Sequence, residues 1–288
     1  MGRSTVALAL ARSLAAQGHE TLLLEAAIGR PGPSAFAARL ERPAGPDAQR
    51  MGERLSYARL EPRFGQELFL REVIPVGPLV HAAVHSKALA RLLDAGPSLD
   101  ELGVMHHFLT LAEERRGSVL RYARIVLDLP ATGHALALAD LPNTILRIAP
   151  HGPIADRLRR GQALLHDPHA SGAVVVTIPE PLALREATEL AAGLRTSQVP
   201  IAAFLVNRAP ASAVPAGTLD ALRAAFGERS VAGRRTLEAR ALAEARVGAL
   251  TREVAPVPVF RSPEVIGETE SVLRAVEGAV TERSTRSA

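Results

Sequence analysis

The sequence predicts an α/β protein: a doubly wound, mostly parallel sheet flanked by helices, with a helical insertion. Three observations lead there. Short β-rich runs alternate with longer helical ones along the chain. Several β-rich runs, such as Ile125-Val126-Leu127 and Val174-Val175-Val176, are apolar at every position, as in strands covered by helices on both faces. The 288 residues are 47% hydrophobic and 22% charged, enough for one ordered domain over 1–288 with a sizeable core.

In chain order, the first helical run is 5–17, and Gln17-Gly18-His19 closes it in the manner of a helix C-terminus. Strands are expected at 21–25, 55–60, 124–129, 173–178, 201–206 and 257–260. Further helices are expected at 154–165, 181–194, 218–226 and 235–245. A last helix over about 263–282 carries Val265, Ile266, Val272, Leu273, Val276 and Val280 on one stripe. Its other face is mostly Glu, which suits docking onto the sheet rather than onto a membrane surface. Residues 283–288 read as a frayed, flexible tail. Two regions exceed a minimal sheet. The Pro- and Gly-rich stretch 29–54 reads as loop. The stretch 64–117 reads as helical pieces broken at Pro75, Pro78 and Gly96-Pro97, with Ser98 and Glu101 as a capping box. It is the expected helical insertion, a place where specific function tends to reside.

Composition excludes several classes of function. With no Cys, disulfides, thiolate metal sites and cysteine nucleophiles are impossible. Net charge is +4, Lys87 is the only lysine, and acidic residues are interspersed among the arginines, so no nucleic-acid partner is expected. Trp is absent and aromatics are 3%, which argues against a base-stacking platform. No apolar stretch reaches the length of a membrane span. The apolar start, 6–16, has neither a charged leader nor a small-residue cleavage site, so the expected location is the cytoplasm.

Three short stretches carry chemistry. Gly2-Arg3-Ser4-Thr5 precedes an apolar helix, and a phosphate loop ends at such a helix start in Gly-Lys-[Ser/Thr]. Alone, these four residues read better as a plain helix start capped by Ser4 or Thr5. In Val126-Leu127-Asp128-Leu129-Pro130-Ala131-Thr132-Gly133-His134 an apolar strand ends in a carboxylate and enters a Pro/Gly loop. That puts Asp128 at the carboxyl edge of the sheet, where open α/β folds bind ligands. Asp128 there serves either a Mg²⁺ water or a turn cap, with equal weight on this stretch alone. In Phe204-Leu205-Val206-Asn207-Arg208 another strand ends in a polar side chain. The Asn207 amide pairs a donor with an acceptor, matching an adenine edge; a turn-forming Asn is the commoner reading in isolation.

Taken together and in order, these residues resemble the ArsA-like anion-transporting ATPase family, dimeric P-loop proteins that include arsenite-pump and tail-anchor-targeting ATPases. The switch II string of that family, Asp-x-x-Pro/Ala-Thr-Gly-His, is similar to Asp128-Leu-Pro-Ala-Thr-Gly-His134, and Val174 to Leu190 is similar to the strand and helix after it. Val206-Asn207 resembles its adenine-binding step. The resemblance implies a P-loop NTPase-like fold, ATP and Mg²⁺ as ligands, ATP hydrolysis, and a homodimer or a heterodimer with a paralogous ATPase. By it, Gly2, Arg3, Ser4 and Thr5 lie in the phosphate loop, with Arg3 at the lysine position and Ser4 at the Mg²⁺ hydroxyl. Asp128 would hold Mg²⁺ through water. Pro130, Thr132 and Gly133 would lie in switch II, with Gly133 sensing the γ-phosphate. Glu25 stands where the family often has the switch I Asp that positions the attacking water, a longer carboxylate in its place. The acid at 128, the amide at 207 and the amino-terminal turn are expected on one rim of the sheet.

The match departs from the family at its start. The strand before the phosphate loop and the signature lysine fall before Met1, so an upstream start some fifteen to twenty residues earlier (roughly a strand plus a loop) is expected. The alternative is a non-hydrolysing paralogue that pairs with a complete ATPase; a ParA/MinD-like positioning ATPase is a more distant one. Without Cys, arsenite binding by thiolates is excluded. Cargo and membrane partners stay open. The i, i+4 pair His81 and His85, with His106 and His107, reads as structural or solvated rather than metal-binding. Arg115-Arg116 and Arg157–Arg160 read as solvated faces.

Overall fold

A computed structural model describes residues 2–29, 32–73, 99–130, 132–148, 150–210, 215, 217–226, 233–265, 273–274 and 276–278. The chain divides into two compact units. One comprises residues 1–6, 173–192 and 201–288; the other comprises 7–172 and 193–200.

The larger unit is built on a four-stranded sheet. Its strands are β1 (Thr21–Ala26), β2 (Gln49–Gly52), β3 (Leu55–Leu60) and β6 (Arg124–Asp128), in the order β2-β3-β1-β6. β1 runs parallel to both β3 and β6, and β2 is antiparallel to β3 at one edge. Helix α1 (Arg3–Ala16) leads into β1 and stops at Gly18, whose φ is +92°. The Gly18 N–H donates to Ala15 O and the His19 N–H to Leu14 O, the paired bonds by which a left-handed glycine closes a helix. The three leucines of β1, Leu22 to Leu24, are completely buried, as a central strand covered on both faces requires.

Continuous apolarity in β6 does not have that meaning. Ile125 and Leu127 are only half-buried, because β6 is at the other edge of the sheet and has one strand neighbour among the described residues. The 29–54 loop also differs from expectation: β2 lies within it, paired with β3 across a register shift. Its sequence, Gln-Arg-Met-Gly, has too few β-formers to announce a strand; pairing with β3 is what extends it.

The expected helical insertion is described in two pieces, α2 (Pro62–Val73) and α3 (Leu99–Ala112). Its proline breaks, Ser98 and the pair His81 and His85 lie outside the described residues. A two-stranded ribbon, β4 (Arg115–Arg116) with β5 (Val119–Leu120), closes it. α3 sends Leu102, Val104, Met105, Phe108 and Leu109 into the core, where they meet Leu22, Leu24 and Leu60 of the sheet. α2 and α3 cross at two glycines. A Cβ on Gly65 would collide with the backbone of Gly103, and one on Gly103 with the carbonyl of Pro62. Helices α4 (Thr132–Ile148) and α5 (Pro153–His166) complete this unit. α4 was not anticipated, because its Thr-Gly-His start reads as part of the Pro/Gly loop; the helix nevertheless runs on through Pro142 to Ile148.

Arg157 on α5 departs from the solvated reading. It is 14% exposed and pairs with Glu72 at 2.6 Å and Glu113 at 3.5 Å. His106 and His107 of α3 are buried, as a structural role requires. His106 Nε2 is 3.3 Å from Glu72 Oε2, and the His107 ring packs on Phe64 with centroids 4.8 Å apart. Burial pushes the His107 imidazole down to about 4, and burial with the Arg157 charge also lowers His106. Both folded values lie below the unfolded value, so neutral imidazole is favoured in the native state. The associated stability is complete above about pH 6.5 and is lost as pH falls toward 4. We expect acid to cost about 3 kcal/mol through His107 alone. Replacing His107 with Phe should flatten the decline of urea stability between pH 6.5 and 4; an unchanged slope in that variant would remove this account.

The smaller unit holds a parallel sheet of β7 (Ala173–Thr177), β8 (Ile201–Ala209) and β9 (Val259–Pro263), in that order. Val175, Phe204, Leu205 and Val206 are buried, with Val247 and Leu250 from α8 (Arg234–Glu253). Helices α6 (Pro181–Thr196) and α7 (Thr218–Phe226) follow the expected runs. β7 has one strand neighbour among the described residues, and Val174 is 38% exposed despite its apolar run. β9 begins two residues later than expected and ends at Pro263. Pro256 and Pro258 have no N–H to give a ladder, and pairing starts just after them, Val259 opposite Phe204. Pro263 therefore ends a strand rather than starting the last helix. Residues 273, 274 and 276–278 are helical, and Leu273 and Val276 are fully buried, so that part of the apolar stripe does dock. The 283–288 tail lies outside the described residues.

Candidate functional site

In the smaller unit, the amino-terminal turn and the end of β8 come together. Gly2 has φ +82°, and its carbonyl accepts the Val6 N–H at 3.0 Å, opening helix α1 at Arg3. Residues 2 to 5 are half-buried. The first turn of any α-helix presents N–H groups without intrahelical acceptors and the positive end of the dipole, a ready anion seat. Asn207, near the end of β8, is 5% exposed. Its amide lies directly against Gly2; a Cβ on Gly2 would run into Asn207 Nδ2. Any larger residue would therefore push the amide away, in addition to opposing the positive φ.

In the larger unit, two carboxylates end neighbouring strands at one level. Glu25 of β1 is the register partner of Asp128 of β6. Asp128 is the last residue of its strand and is buried. Pro130 follows, half-buried. Thr132 and Gly133, read from sequence as loop, are the opening residues of α4. Gly133 is exposed, with open space where a Cβ would be. A glycine N–H at a helix start is a suitable phosphate donor.

The Glu25 carboxylate is fully engaged. Oε2 accepts Tyr57 Oη at 2.5 Å and Ser34 Oγ at 2.6 Å, and Oε1 accepts the Ala35 N–H at 3.0 Å. Tyr57 packs edge-on to Phe36, centroids 5.6 Å apart. Burial, then the bond to Glu25, pushes the Tyr57 phenol well above its ordinary value, so it is a committed donor. Glu25 thus fastens the loop after β1 onto the sheet. Tyr57→Phe keeps the ring and deletes a charge-assisted bond; we expect a loss of about 1.5–3 kcal/mol in urea unfolding. A change below about 0.5 kcal/mol would show that the clasp is dispensable.

His134, the last residue of the string that begins at Asp128, was not singled out from sequence. Its Nδ1 is 3.0 Å from Oε1 of Glu101, a buried residue of α3. Its Nε2 lies 3.2 Å from where a Cβ on Gly29 would stand, and Gly29 has φ +88°. The start of α4 thereby touches both the insertion and the loop after β1. Glu101 had been read as a capping residue, and only tertiary packing shows its partner.

Among the described residues no three His, Asp or Glu side chains gather as a metal centre. The sequence offers one hard oxygen donor in each unit, the Ser4 hydroxyl in the smaller and the Asp128 carboxylate in the larger. Each is of the kind Mg²⁺ takes, since the ion prefers oxygen ligands, keeps several waters and needs only one or two protein ligands beside phosphates. No helix of the described residues is long and apolar enough to cross a membrane.

Residues 1–150 match the model of a family described as anion-transporting ATPase. The chain is 29% identical over 245 residues to ATPase BagA of Mycobacterium tuberculosis and to a putative ATPase of Mycobacterium bovis, covering 79% of this chain and 67% of each relative. It is 26% identical over 147 residues to ATPase GET3C of Arabidopsis thaliana. There the aligned part covers 40% of this chain and 37% of the plant protein. The family model spans just over half of the chain and includes the strand-end Asp128 and the Thr132-Gly133-His134 helix start; the chain belongs to the anion-transporting ATPase family.

Proposed function

We propose that the chain binds ATP with Mg²⁺, hydrolyses it, and couples closure of a homodimer or heterodimer to action on a partner or cargo. Membership in an ATPase family supports nucleotide binding in general, and such binding commonly includes a metal ion. The observation that carries the finer reading is the alignment of Asp128 with Glu25 at the carboxyl ends of adjacent parallel strands, where open α/β sheets hold ligands. In the smaller unit, the α1 start with Arg3, Ser4 and Thr5 receives phosphate, and Asn207 reads the base. In the larger unit, Asp128 orients a Mg²⁺ water and the Gly133 N–H meets the γ-phosphate, with Pro130 and Thr132 shaping the turn. Bound Mg²⁺ would supply neutralisation of phosphate charge.

Calorimetry of the full chain with ATP, with and without Mg²⁺, followed by phosphate release, tests this. Mg²⁺-dependent binding with turnover is the expected result; absence of ATP binding would refute it. A second reading is favoured by one feature. The three donors on Glu25 leave its carboxylate committed to the loop, which fits a non-hydrolysing subunit paired with an active paralogue. Binding without turnover would select that reading.

A further inference from the structure

The ribbon of β4 and β5 turns through Gly117-Ser118, and residues 115–121 are all exposed. Arg115 stands opposite Leu120 and Arg116 opposite Val119, so each face of the ribbon presents one arginine beside one apolar side chain. Val119 is 64% exposed and Leu120 50%. Leaving them in water gains nothing for folding, and a two-stranded ribbon has little stability of its own. The ribbon rises at the amino end of the larger sheet. There Arg124 opens β6, and the Ala123 and Arg124 N–H groups both donate to Glu20 O. Arg54, just before β3, donates from its guanidinium to Gly18 O at 2.9 Å. At this end six exposed arginines, Arg50, Arg54, Arg115, Arg116, Arg121 and Arg124, face three glutamates, Glu20, Glu53 and Glu114, an excess of three positive charges. Glu20 is engaged by Arg50 at 3.3 Å and Glu114 by Arg121 at 2.5 Å. Arg115 and Arg124 donate to the carbonyls of Ser118 and Ala123, which neutralise no charge.

We propose that this hairpin docks the protein on an anionic lipid membrane, with Val119 and Leu120 entering the headgroup layer and Arg115, Arg116 and Arg124 pairing with lipid phosphates. A bilayer surface answers both halves of the feature. Its negative potential attracts clustered arginines, whose planar heads bind phosphate in forked pairs while their stems lie along apolar surface. Its acyl boundary takes in the valine and the leucine. Charge and insertion together supply the two signals that a surface anchor needs. Nucleic acid or an acidic polypeptide would satisfy the arginines and leave both apolar side chains in water. Docking here also leaves the other end of the sheet open: Asp128 closes the strand that Arg124 opens, about 13 Å away.

The test is sedimentation of the full chain with vesicles of equal parts phosphatidylserine and phosphatidylcholine, against vesicles of phosphatidylcholine alone. Binding to the anionic vesicles, weakened by added salt, is the expected result. Arg115→Gln combined with Arg116→Gln should weaken it about tenfold or more. Val119→Ser combined with Leu120→Ser should weaken it about tenfold at unchanged charge. All four side chains stand in solvent, so both variants should melt at the wild-type temperature; a lower value would mean that the ribbon packs against the protein, and overturns the proposal. No binding to anionic vesicles overturns it, as does equal binding to both kinds of vesicle or unchanged binding in either variant. Tighter binding to polyglutamate or to duplex DNA than to anionic vesicles also overturns it, and would assign the arginines to an acidic protein or to nucleic acid.

Discussion

Gly103→Ala should destabilise the protein by about 3 kcal/mol or more. The added Cβ would overlap the Pro62 carbonyl oxygen, with the Pro62 carbonyl carbon at 3.0 Å and Gln66 Cγ at 3.1 Å. The obstacle is backbone, which cannot rotate aside as a side chain can. Relief requires moving α2 off α3, and α3 carries Leu102, Met105 and Leu109 of the core with it. The intrinsic helix preference of alanine over glycine, about 1 kcal/mol, acts in the opposite direction and is too small to compensate. Gly65→Ala strains the same crossing from α2 and meets backbone more closely still: the new atom would overlap the Gly103 carbonyl, with Gly103 Cα at 3.0 Å. Because both changes relieve or strain one crossing, the double variant should cost less than the sum. Chemical denaturation of the three variants checks this. A loss below about 1 kcal/mol for Gly103→Ala would mean that the two helices are free to separate.

Asp128→Asn should reduce ATP turnover about a hundredfold or more while leaving the fold intact. Asparagine has the shape of aspartate and can retain neutral hydrogen bonds, so the change isolates charge. In phosphoryl transfer nearly all catalysis is positioning and charge stabilisation, and removing one such group typically costs that much. The residue is buried at a strand end, where low dielectric amplifies the charge. The readout is twofold: phosphate release, and the rise in melting temperature that Mg²⁺ adds to ATP. Both should fall together, whereas ATP stabilisation without Mg²⁺ should remain. Full turnover in Asp128→Asn would strike this residue from the site.

The strands at the centre of each sheet were legible in advance because local signals agreed with burial. Leu22 to Leu24 is an apolar run with full coverage, and Leu55 to Leu60, bounded by turn residues, is buried at every position but Arg59. Gly18 announced the end of α1 because only glycine adopts that left-handed turn cheaply. The edge strands misled. Residues 125–127 and 174–176 look as apolar as β1, yet burial of a strand depends on how many neighbours it has, which no local pattern encodes. β2 was invisible for the converse reason, since its residues become a strand only by pairing with β3.

For the site, Asp128 and Asn207 could be picked out as polar residues terminating apolar runs, and Gly133 as part of a string whose spacing matters chemically. Their partners could not. Tyr57 and Ser34 are 32 and 9 residues from Glu25, and Glu101 is 33 from His134; such contacts carry no periodicity. Ser262, near the end of β9, is notable only because burial shows its hydroxyl without a hydrogen-bond partner among the described residues. Chain order alone thus set the alternation of strands and helices and the chemical identity of the strand-end groups, because these follow from short-range sterics and hydrophobic spacing. Which carboxylate is clasped, which hydroxyl is left unpaired and which glycines allow helices to touch depend on packing between distant segments, and were settled only by the folded arrangement.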